Sequence, residues 1–167
     1  MTENERHCKT RCFAAPFCVE QTRTEETEKR MKLLVIDGQG GGIGSGLIEQ
    51  LRQAELPGVE LLAIGTNVMA TSAMLRAGAQ AGATGENAVI FNSARADLIL
   101  GPIGIIMANS MMGEITPAMA AAVASSEAKK VLIPITKCAR VVGVEPKPMQ
   151  AYIAEAVAQA KLLASEK

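Results

Sequence analysis

The stretch "VIDGQGGGIGSG", residues 35–46, decides the fold of this chain, because it contains six glycines within nine residues. They follow directly on the apolar run "KLLVI", residues 32–36. A continuous apolar run is typical of a strand covered on both faces of a parallel sheet. Apolar residues then recur at helical spacing: Ile43, Leu47, Ile48 and Leu51. The stretch therefore predicts a strand, a glycine turn and a helix.

Outward from this turn, short apolar runs alternate with helix-forming segments. The runs predict further strands at residues 59–64, 88–92, 96–102 and 130–135, and a short one at 141–144. Helices are predicted at 69–78, in two parts between 103 and 130, and at 148–167. Thr116 before Pro117 is typical of a helix start. The alternation implies an open three-layer α/β/α domain, Rossmann-like, with a parallel sheet of five or six strands.

Composition excludes several classes of function. The chain has 167 residues and no formal net charge, and its basic residues form no stripe, so we expect no nucleic-acid partner. No apolar run reaches the ~18 residues of a membrane span, and residues 1–30 are too polar for a secretory signal. We therefore expect a cytoplasmic protein without a membrane partner.

The first thirty residues differ from the rest, since they show no periodicity of either strand or helix. We interpret residues 1–30 as a disordered tail or a wrongly assigned start, and residues 31–167 as the domain, beginning at Met31. The tail contains three cysteines and the only histidine: His7, Cys8, Cys12 and Cys18. Their C-x3-C-x5-C spacing matches none of the common zinc patterns, so we predict no metal site there.

The glycine turn predicts a site for an anionic ligand. Glycine lets a backbone approach a phosphate closely, and the start of the following helix favours negative charge. Gly38, Gly42 and Gly44 fit the spacing G-x3-G-x-G, which resembles the cofactor turn of short-chain dehydrogenases. The ligand would be a small phosphate-bearing molecule, a nucleotide or dinucleotide being the candidates. The predicted contacts are Gly38, Gln39, Gly40, Gly41, Gly42, Ile43, Gly44, Thr66, Asn67 and Asn109.

Three departures restrict this hypothesis. No lysine lies between Lys32 and Lys129, which excludes the phosphate loop of nucleoside triphosphatases. No acid follows the second strand, where dinucleotide-binding folds place one for the ribose. Tyr152 is the only tyrosine and no lysine stands four residues later, so the chain is not such a dehydrogenase. A purely steric use of the glycines, packing the helix on the strand, stays open.

Polar residues at the predicted strand ends offer a second hypothesis. Asp37, Glu86 and Glu114 would converge as an acid/base pair or a divalent-metal site of a small enzyme. The alternative for these residues, and for Thr66, Asn67 and Asn92, is helix capping and turn formation. Asn109 interrupts the apolar "GIIMANSMM", residues 104–112, where its side chain would need a hydrogen-bond partner. We expect Cys138 to be a small buried residue.

Several blocks of the sequence resemble one small bacterial family, known only as domain of unknown function 3842. They are "MKLLVIDGQGGGIG", "GTNVMATSAMLRAGA", "GATGENAV", "GPIGIIMANSMMGEITPAMA" and "VLIPI". The resemblance covers nearly all of residues 31–167 and leaves the tail outside. It implies no activity, substrate or catalytic residue. A third hypothesis is therefore a non-catalytic homo-oligomeric module, with the Met-rich residues 105–119 as core or as the face between copies.

Overall fold

A computed structural model describes residues 30–165. Its centre is an all-parallel sheet of five strands in the order β3-β2-β1-β4-β5. The strands are β1 (Met31–Asp37), β2 (Val59–Gly65), β3 (Ala81–Thr84), β4 (Leu98–Pro102) and β5 (Lys129–Ile133). The predicted fold class is confirmed, with five strands rather than six in the described part of the chain.

Five α-helices cover the two faces of this sheet. They are α1 (Gly42–Gln53), α2 (Val68–Arg76), α3 (Glu86–Ser93), α4 (Pro117–Ser125) and α5 (Met149–Ser165). Helices α1, α2 and α5 pack on one face, and α3 and α4 on the other. The result is the three-layer α/β/α arrangement. Within residues 30–165, no helix combines the length and apolar character needed to cross a lipid bilayer.

Strand β1 shows why the central strands are apolar throughout. Leu33 and Val35 belong to the core under α1 and α5, whereas Leu34 and Ile36 belong to the core under α3 and α4. Successive side chains of a strand point to opposite faces, so a strand covered on both faces needs an apolar residue at every position. All four side chains are fully buried.

The order of the strands changes direction at β1. From β1 the chain moves outward through β2 to β3 on one side, then returns to form β4 on the other side of β1. The register aligns Asp37 with Gly65 at the ends of β1 and β2. Loops after β1 and β4 therefore diverge from neighbouring strands, which opens a crevice at their carboxyl ends.

The third strand was predicted in the wrong place. Residues 88–92 lie in helix α3, and the strand that pairs with β2 is Ala81–Thr84, which the sequence pattern assigned to a loop. Only Val89 and Ser93 of α3 are buried, four residues apart as on one face of a helix. Asn92 is consequently not at a strand end, and its amide donates to the Ala88 carbonyl within α3.

Two further predictions between the strands need correction. Residues 141–144 form no strand, and Val142 is 97% exposed, because no neighbouring strand lies beyond β5 in the described sheet. Residues 103–116 contain two short 3-10 turns, Ile103–Ile106 and Met111–Gly113, instead of an α-helix. The predicted start of α4 is confirmed, since the Thr116 hydroxyl accepts from the Met119 N–H.

Candidate functional site

A cleft of about 320 Å³ opens at the carboxyl edge of the sheet. Its walls come from the loops after β1, β4 and β5, so it lies at the switch in strand order. Its lining includes Asp37, Gly38, Gln39 and Ile43 of the first loop, Pro102, Gly104, Asn109, Ser110, Met111 and Met112 of the second, and Ile135, Thr136, Lys137 and Cys138 of the third. A larger depression, about 720 Å³, lies beside Lys32 and Asp97 at the strands' amino ends, away from these loops.

The glycine turn forms the wall on the β1 side. The Gly41 N–H donates to the Gly38 carbonyl, which closes the turn, and α1 begins at Gly42. Gln39 and Gly41 have positive φ angles of 50° and 70°. Only glycine adopts such angles without strain, so the turn is built around Gly41 while Gln39 is held there by its contacts.

The glycines of this turn have two different uses. A Cβ at Gly44 would lie 2.5 Å from the Met74 sulfur, and one at Gly41 would lie 2.8 Å from a backbone atom of α2. These two glycines therefore serve close packing of α1 against α2. A Cβ at Gly40 or Gly42 would meet nothing within 4 Å. The space beside Gly40 and Gly42 is open to a ligand.

Asp37, the last residue of β1, caps helix α1. Its Oδ1 accepts from the Gly38 N–H at 2.8 Å, and its Oδ2 accepts from the Gly44 N–H at 2.7 Å. Burial raises the pKa of Asp37 above its ordinary value, against the hydrogen bonds from Gly44, Gly38 and Ile43, and the charge of Glu114 raises it further. The chain's own carboxylate thus occupies part of the helix start where a phosphate was predicted.

Glu114 is a second carboxylate at the same turn. Its Oε2 accepts from the Gln39 N–H at 2.8 Å, the Thr66 hydroxyl at 2.5 Å and the Asn67 amide at 2.9 Å. Partial burial alone would raise the pKa of Glu114, but the hydrogen bonds from Thr66, Gln39 and Asn67 outweigh it and hold this pKa below its ordinary value. Glu114 therefore ties the loop after β4 to the glycine turn and to the end of β2.

Asn67 acts as the N-cap of α2. Its Oδ1 accepts from the Ala70 N–H at 2.9 Å, and its amide also donates to the Gln39 carbonyl at 3.0 Å. This is the capping interpretation of the sequence, extended by a link to the glycine turn. Thr66 and Asn67 both direct donors at Glu114, so a sugar or base at these two residues stays a prediction.

The three predicted acids do not converge on one point. Asp37 and Glu114 both adjoin Gly38, whereas Glu86, at the start of α3, accepts a hydrogen bond from the Thr116 hydroxyl. Between residues 30 and 165 no group of three Asp, Glu, His or Cys side chains is placed to hold a metal ion. The described residues therefore give no support to the metal version of the enzyme hypothesis, built on Asp37, Glu86 and Glu114.

Asn109 lines the cleft, and the apolar residues around it in the sequence do not enclose its side chain. It is exposed, has a positive φ of 61°, and its N–H donates to the Ile115 carbonyl at 2.7 Å. The buried polar residue of this segment is Ser110, whose hydroxyl donates to the Gly104 carbonyl at 2.5 Å. The apolar sequence context of Asn109 was misleading because the segment turns instead of forming a buried helix.

The loop after β5 supplies cleft residues that sequence reasoning missed. Thr136 and Lys137 line the cleft, as does Cys138, which is exposed and lies 2.9 Å from the Thr136 hydroxyl through its sulfur. The prediction of a buried Cys138 is wrong. The sequence could have indicated these three residues, because they follow directly on the predicted strand 130–135. Ligand sites of parallel sheets lie at the carboxyl ends of strands.

Comparisons with known proteins identify the family without adding a function. No curated protein matches the sequence. A universal stress protein from Archaeoglobus fulgidus has a similar structure, with 14% sequence identity and a TM-score of 0.36 over 62% of this chain and 97% of that one. A likeness this weak carries no argument about a ligand. Residues 32–165 match the family described as Domain of unknown function (DUF3842), and the chain belongs to that family.

Proposed function

We propose that this protein binds a small phosphate-bearing ligand, a nucleotide or a related metabolite, in the cleft at the carboxyl edge of its sheet. One observation carries the proposal: the cleft lies at the switch in strand order, and the glycine turn forms one of its walls. Open α/β sheets bind their ligands in that crevice as a rule, since diverging loops leave room for one there.

The anionic part of the ligand would lie at the rim of the cleft, beside Gly40 and Gly42, which adjoin the lining residues Gln39 and Ile43. A side chain is absent at both positions and the neighbouring space is open, so a phosphate can approach the backbone closely. Lys137, across the cleft in the loop after β5, adds a positive charge to the lining. The positive start of α1 acts in the same direction, although Asp37 already neutralises part of it.

An apolar part of the ligand fits the rest of the lining. Ile43, Pro102, Met111 and Ile135 line the cleft together. Methionine and branched aliphatic side chains adapt to flat groups such as a nucleobase, because their contacts are non-directional and the thioether is flexible. The combination of an apolar wall with a few polar groups is typical of small-molecule sites.

The first experiment asks which ligand, if any, is present. Native mass spectrometry of freshly purified protein is followed by thermal unfolding with a panel of nucleotides and phosphorylated metabolites. A ligand at 100 times its dissociation constant stabilises the folded chain by about 2.7 kcal/mol. A protein without copurified ligand and without any shift would contradict the proposal and favour the homo-oligomeric module, which sedimentation of the same sample tests.

Cys138 offers a local reporter of the cleft. It is exposed at the cleft, and the other three cysteines of the sequence are replaced by serine for this experiment. A bound ligand is expected to slow alkylation of Cys138 at least fivefold by covering it. A stabilising ligand that leaves the alkylation rate unchanged binds somewhere else.

Gly42→Val tests the place of the phosphate. The added side chain enters open space, so it fills the ligand position without striking the protein. We expect normal folding and a loss of binding of at least tenfold. Ala118→Val is the matched control, because Ala118 is exposed in the first turn of α4, as Gly42 is in the first turn of α1, and lies outside the glycine turn. A Gly42→Val protein that binds like the control would exclude the turn as the site.

Of the three acids in the enzyme hypothesis, Asp37 is the one that lines the cleft. This carboxyl is buried, lines the cleft and has a raised pKa, which suits a group that exchanges a proton with a bound ligand. If it is catalytic, wild-type protein converts its copurified ligand on incubation, and Asp37→Asn binds the ligand without converting it. Equal conversion by both proteins would remove Asp37 from the chemistry.

A further inference from the structure

The carboxylate of Glu114 lies in a cradle of three hydrogen-bond donors. Gln39 contributes a backbone N–H, Thr66 a hydroxyl and Asn67 an amide, and all three donate to the same atom, Oε2. The donors come from the glycine turn, the end of β2 and the start of α2. Donors that converge from separate segments on one oxygen atom form an anion-binding site, and here the chain itself supplies the anion.

The segment that carries Glu114 is conformationally strained. Asn109, Met111 and Met112 have positive φ angles of 61°, 54° and 62°, and none of them is a glycine. Such angles are unfavourable for residues with a side chain and persist only where other contacts hold them. The Met112 side chain is 92% exposed, so packing of this side chain does not compensate. Withdrawal of Glu114 would allow residues 109–113 to relax.

Gly38 connects this cradle to the cleft. A Cβ at Gly38 would lie 2.7 Å from Glu114 Oε2, from the Thr66 hydroxyl and from the Met111 sulfur. Gly38 and Met111 also line the cleft. Gly38 and Met111 therefore lie between the cleft and the three donors, and Gly38 has no side chain to block the way.

We propose that Glu114 is an internal stand-in for a further anionic group of the ligand, separate from the phosphate proposed beside Gly40 and Gly42. A carboxylate or phosphate oxygen of the ligand takes the place of Oε2 on Gln39, Thr66 and Asn67, and Glu114 moves outward with residues 109–113. Without a ligand, the Glu114 carboxylate accepts the hydrogen bonds of the three donors. When the ligand binds, an anion of the ligand accepts them instead. This inference rests on the proposed function for the position of the rest of the ligand, but the cradle is testable with simple anions.

The decisive variant is Glu114→Ala, in which the three donors lose their anion. We measure its thermal midpoint, in the full chain, against sodium acetate and inorganic phosphate, with sodium chloride at equal ionic strength as reference. We expect a lowered midpoint that rises saturably by about 2–4 °C with the anion that fits, while wild type changes by less than half as much. A rise of the midpoint with acetate alone indicates a carboxylate ligand, and a rise with phosphate alone indicates a phosphorylated ligand.

Two controls show whether any rescue comes from the cradle. Glu86→Ala also removes a carboxylate bonded to a threonine hydroxyl. Within residues 30–165 Glu86 has only this one donor, so anions should not restore the stability of this variant. Thr66→Val in the Glu114→Ala background removes one of the three donors and should raise the half-saturating anion concentration about tenfold, as loss of a hydrogen bond to a charged group does. Equal rescue in all three proteins would overturn the inference.

A variant that keeps the side-chain shape protects the test against misfolding. Glu114→Gln removes the charge but not the bulk, and we expect it to bind inorganic phosphate at least fivefold more tightly than wild type. Unchanged phosphate binding in Glu114→Gln, or no saturable anion effect in a folded Glu114→Ala, overturns the inference. If these anions rescue Glu114→Ala but no nucleotide protects Cys138, the cradle stands and the proposed ligand class fails. If a nucleotide protects Cys138 but neither anion rescues Glu114→Ala, the proposed function stands and the inference about the cradle fails.

Discussion

Individual residues of the glycine turn differ in what they contribute. Gly41 and Gly44 allow α1 to approach α2, whereas Gly40 and Gly42 leave open space. Asp37 occupies N–H groups at the start of α1 that a phosphate would otherwise use. The turn therefore combines the steric use of glycine with a restricted opening for a ligand, and the two uses belong to different positions.

Alanine at two glycines separates these uses. Gly42→Ala should raise the free energy of unfolding by roughly 0.5–1 kcal/mol, because alanine favours the helix and loses less backbone entropy. Gly44→Ala should lower it by roughly 1–3 kcal/mol, because its Cβ would lie 2.5 Å from the Met74 sulfur and 2.8 Å from the Asp37 Cβ. Urea unfolding of both variants measures the difference. Equal values for the two would contradict the packing assigned to Gly44.

The pH dependence of stability reports on Glu114. Its pKa in the folded chain lies below the ordinary value of 4.5, so its ionised form contributes stability above pH 4.5 that is lost as pH falls through the folded pKa. The difference in unfolding free energy between wild type and Glu114→Gln should be constant from pH 7 to pH 5 and shrink below pH 4.5. Urea unfolding at several pH values measures it. A difference that does not shrink at all as pH falls below 4.5 would show that charge is not what holds Glu114.

The opposite pKa shift of Asp37 acts in the same range. Its folded pKa is raised, so its protonated form favours folding, and this contribution is lost as pH rises from 3.8 through the folded pKa. Asp37 is present in wild type and in Glu114→Gln, so most of its effect cancels in their difference. The remaining effect is the charge of Glu114 on Asp37, which also disappears when Glu114 is protonated.

At the scale of elements, the start of α2 joins three parts of the site. Asn67 caps this helix, and the same side chain reaches the Gln39 carbonyl and Glu114. One residue therefore couples α2, the glycine turn and the loop after β4. The orientation of its amide explains the coupling, since the oxygen faces its own helix and the nitrogen faces the other two segments.

Asn67→Asp tests this coupling while it keeps the cap. An aspartate still accepts from the Ala70 N–H, but it loses both donated bonds and places a second carboxylate beside Glu114. We expect a loss of roughly 1–3 kcal/mol at pH 7, as for an unsatisfied group near a charge, and a smaller loss at pH 4. Asn67→Ser is the control, because serine caps equally well without adding charge. Stabilities of both variants equal to that of wild type would show that Asn67 only caps α2.

At the scale of the whole molecule, both faces of one sheet carry separate apolar layers. Leu33 and Val35 pack into one layer, and Leu34 and Ile36 into the other, so β1 belongs to both. Its first residue is also held, since the Met31 N–H donates to the Gly58 carbonyl. The central strand links the two layers, and we expect them to unfold together.

A shortened chain tests whether residues 31–167 are sufficient for this architecture. Deletion of residues 1–30 leaves the whole sheet and both apolar layers intact. We expect one cooperative urea transition, with a midpoint and slope close to those of the full chain, because the slope follows the surface exposed on unfolding. A markedly smaller slope, or loss of cooperativity, would show that the domain needs the preceding residues.

The chain sequence alone determined the class of fold, because its signals are local. Apolar runs, the glycine turn and the Thr116–Pro117 helix start act within a few residues, so they predict strands and helices without knowledge of contacts. The prediction of the third strand was wrong for the same reason. "AGAT", residues 81–84, is short and consists of small residues of low strand propensity apart from Thr84, so it gives no strand pattern. Its place in the sheet depends on pairing with residues 62–65 of β2.

The tertiary structure alone decided what the glycine turn holds. Glu114 is 75 residues from Gln39 in sequence, and no local pattern indicates that its carboxylate reaches the Gln39 N–H. The same applies to Lys137 and Cys138, which join the cleft only because β5 lies beside β4. A strand-to-helix turn is a short-range property of glycine and apolar residues. The residue that binds to the turn, Glu114, is determined by long-range contacts, which depend on the order of the strands in the sheet.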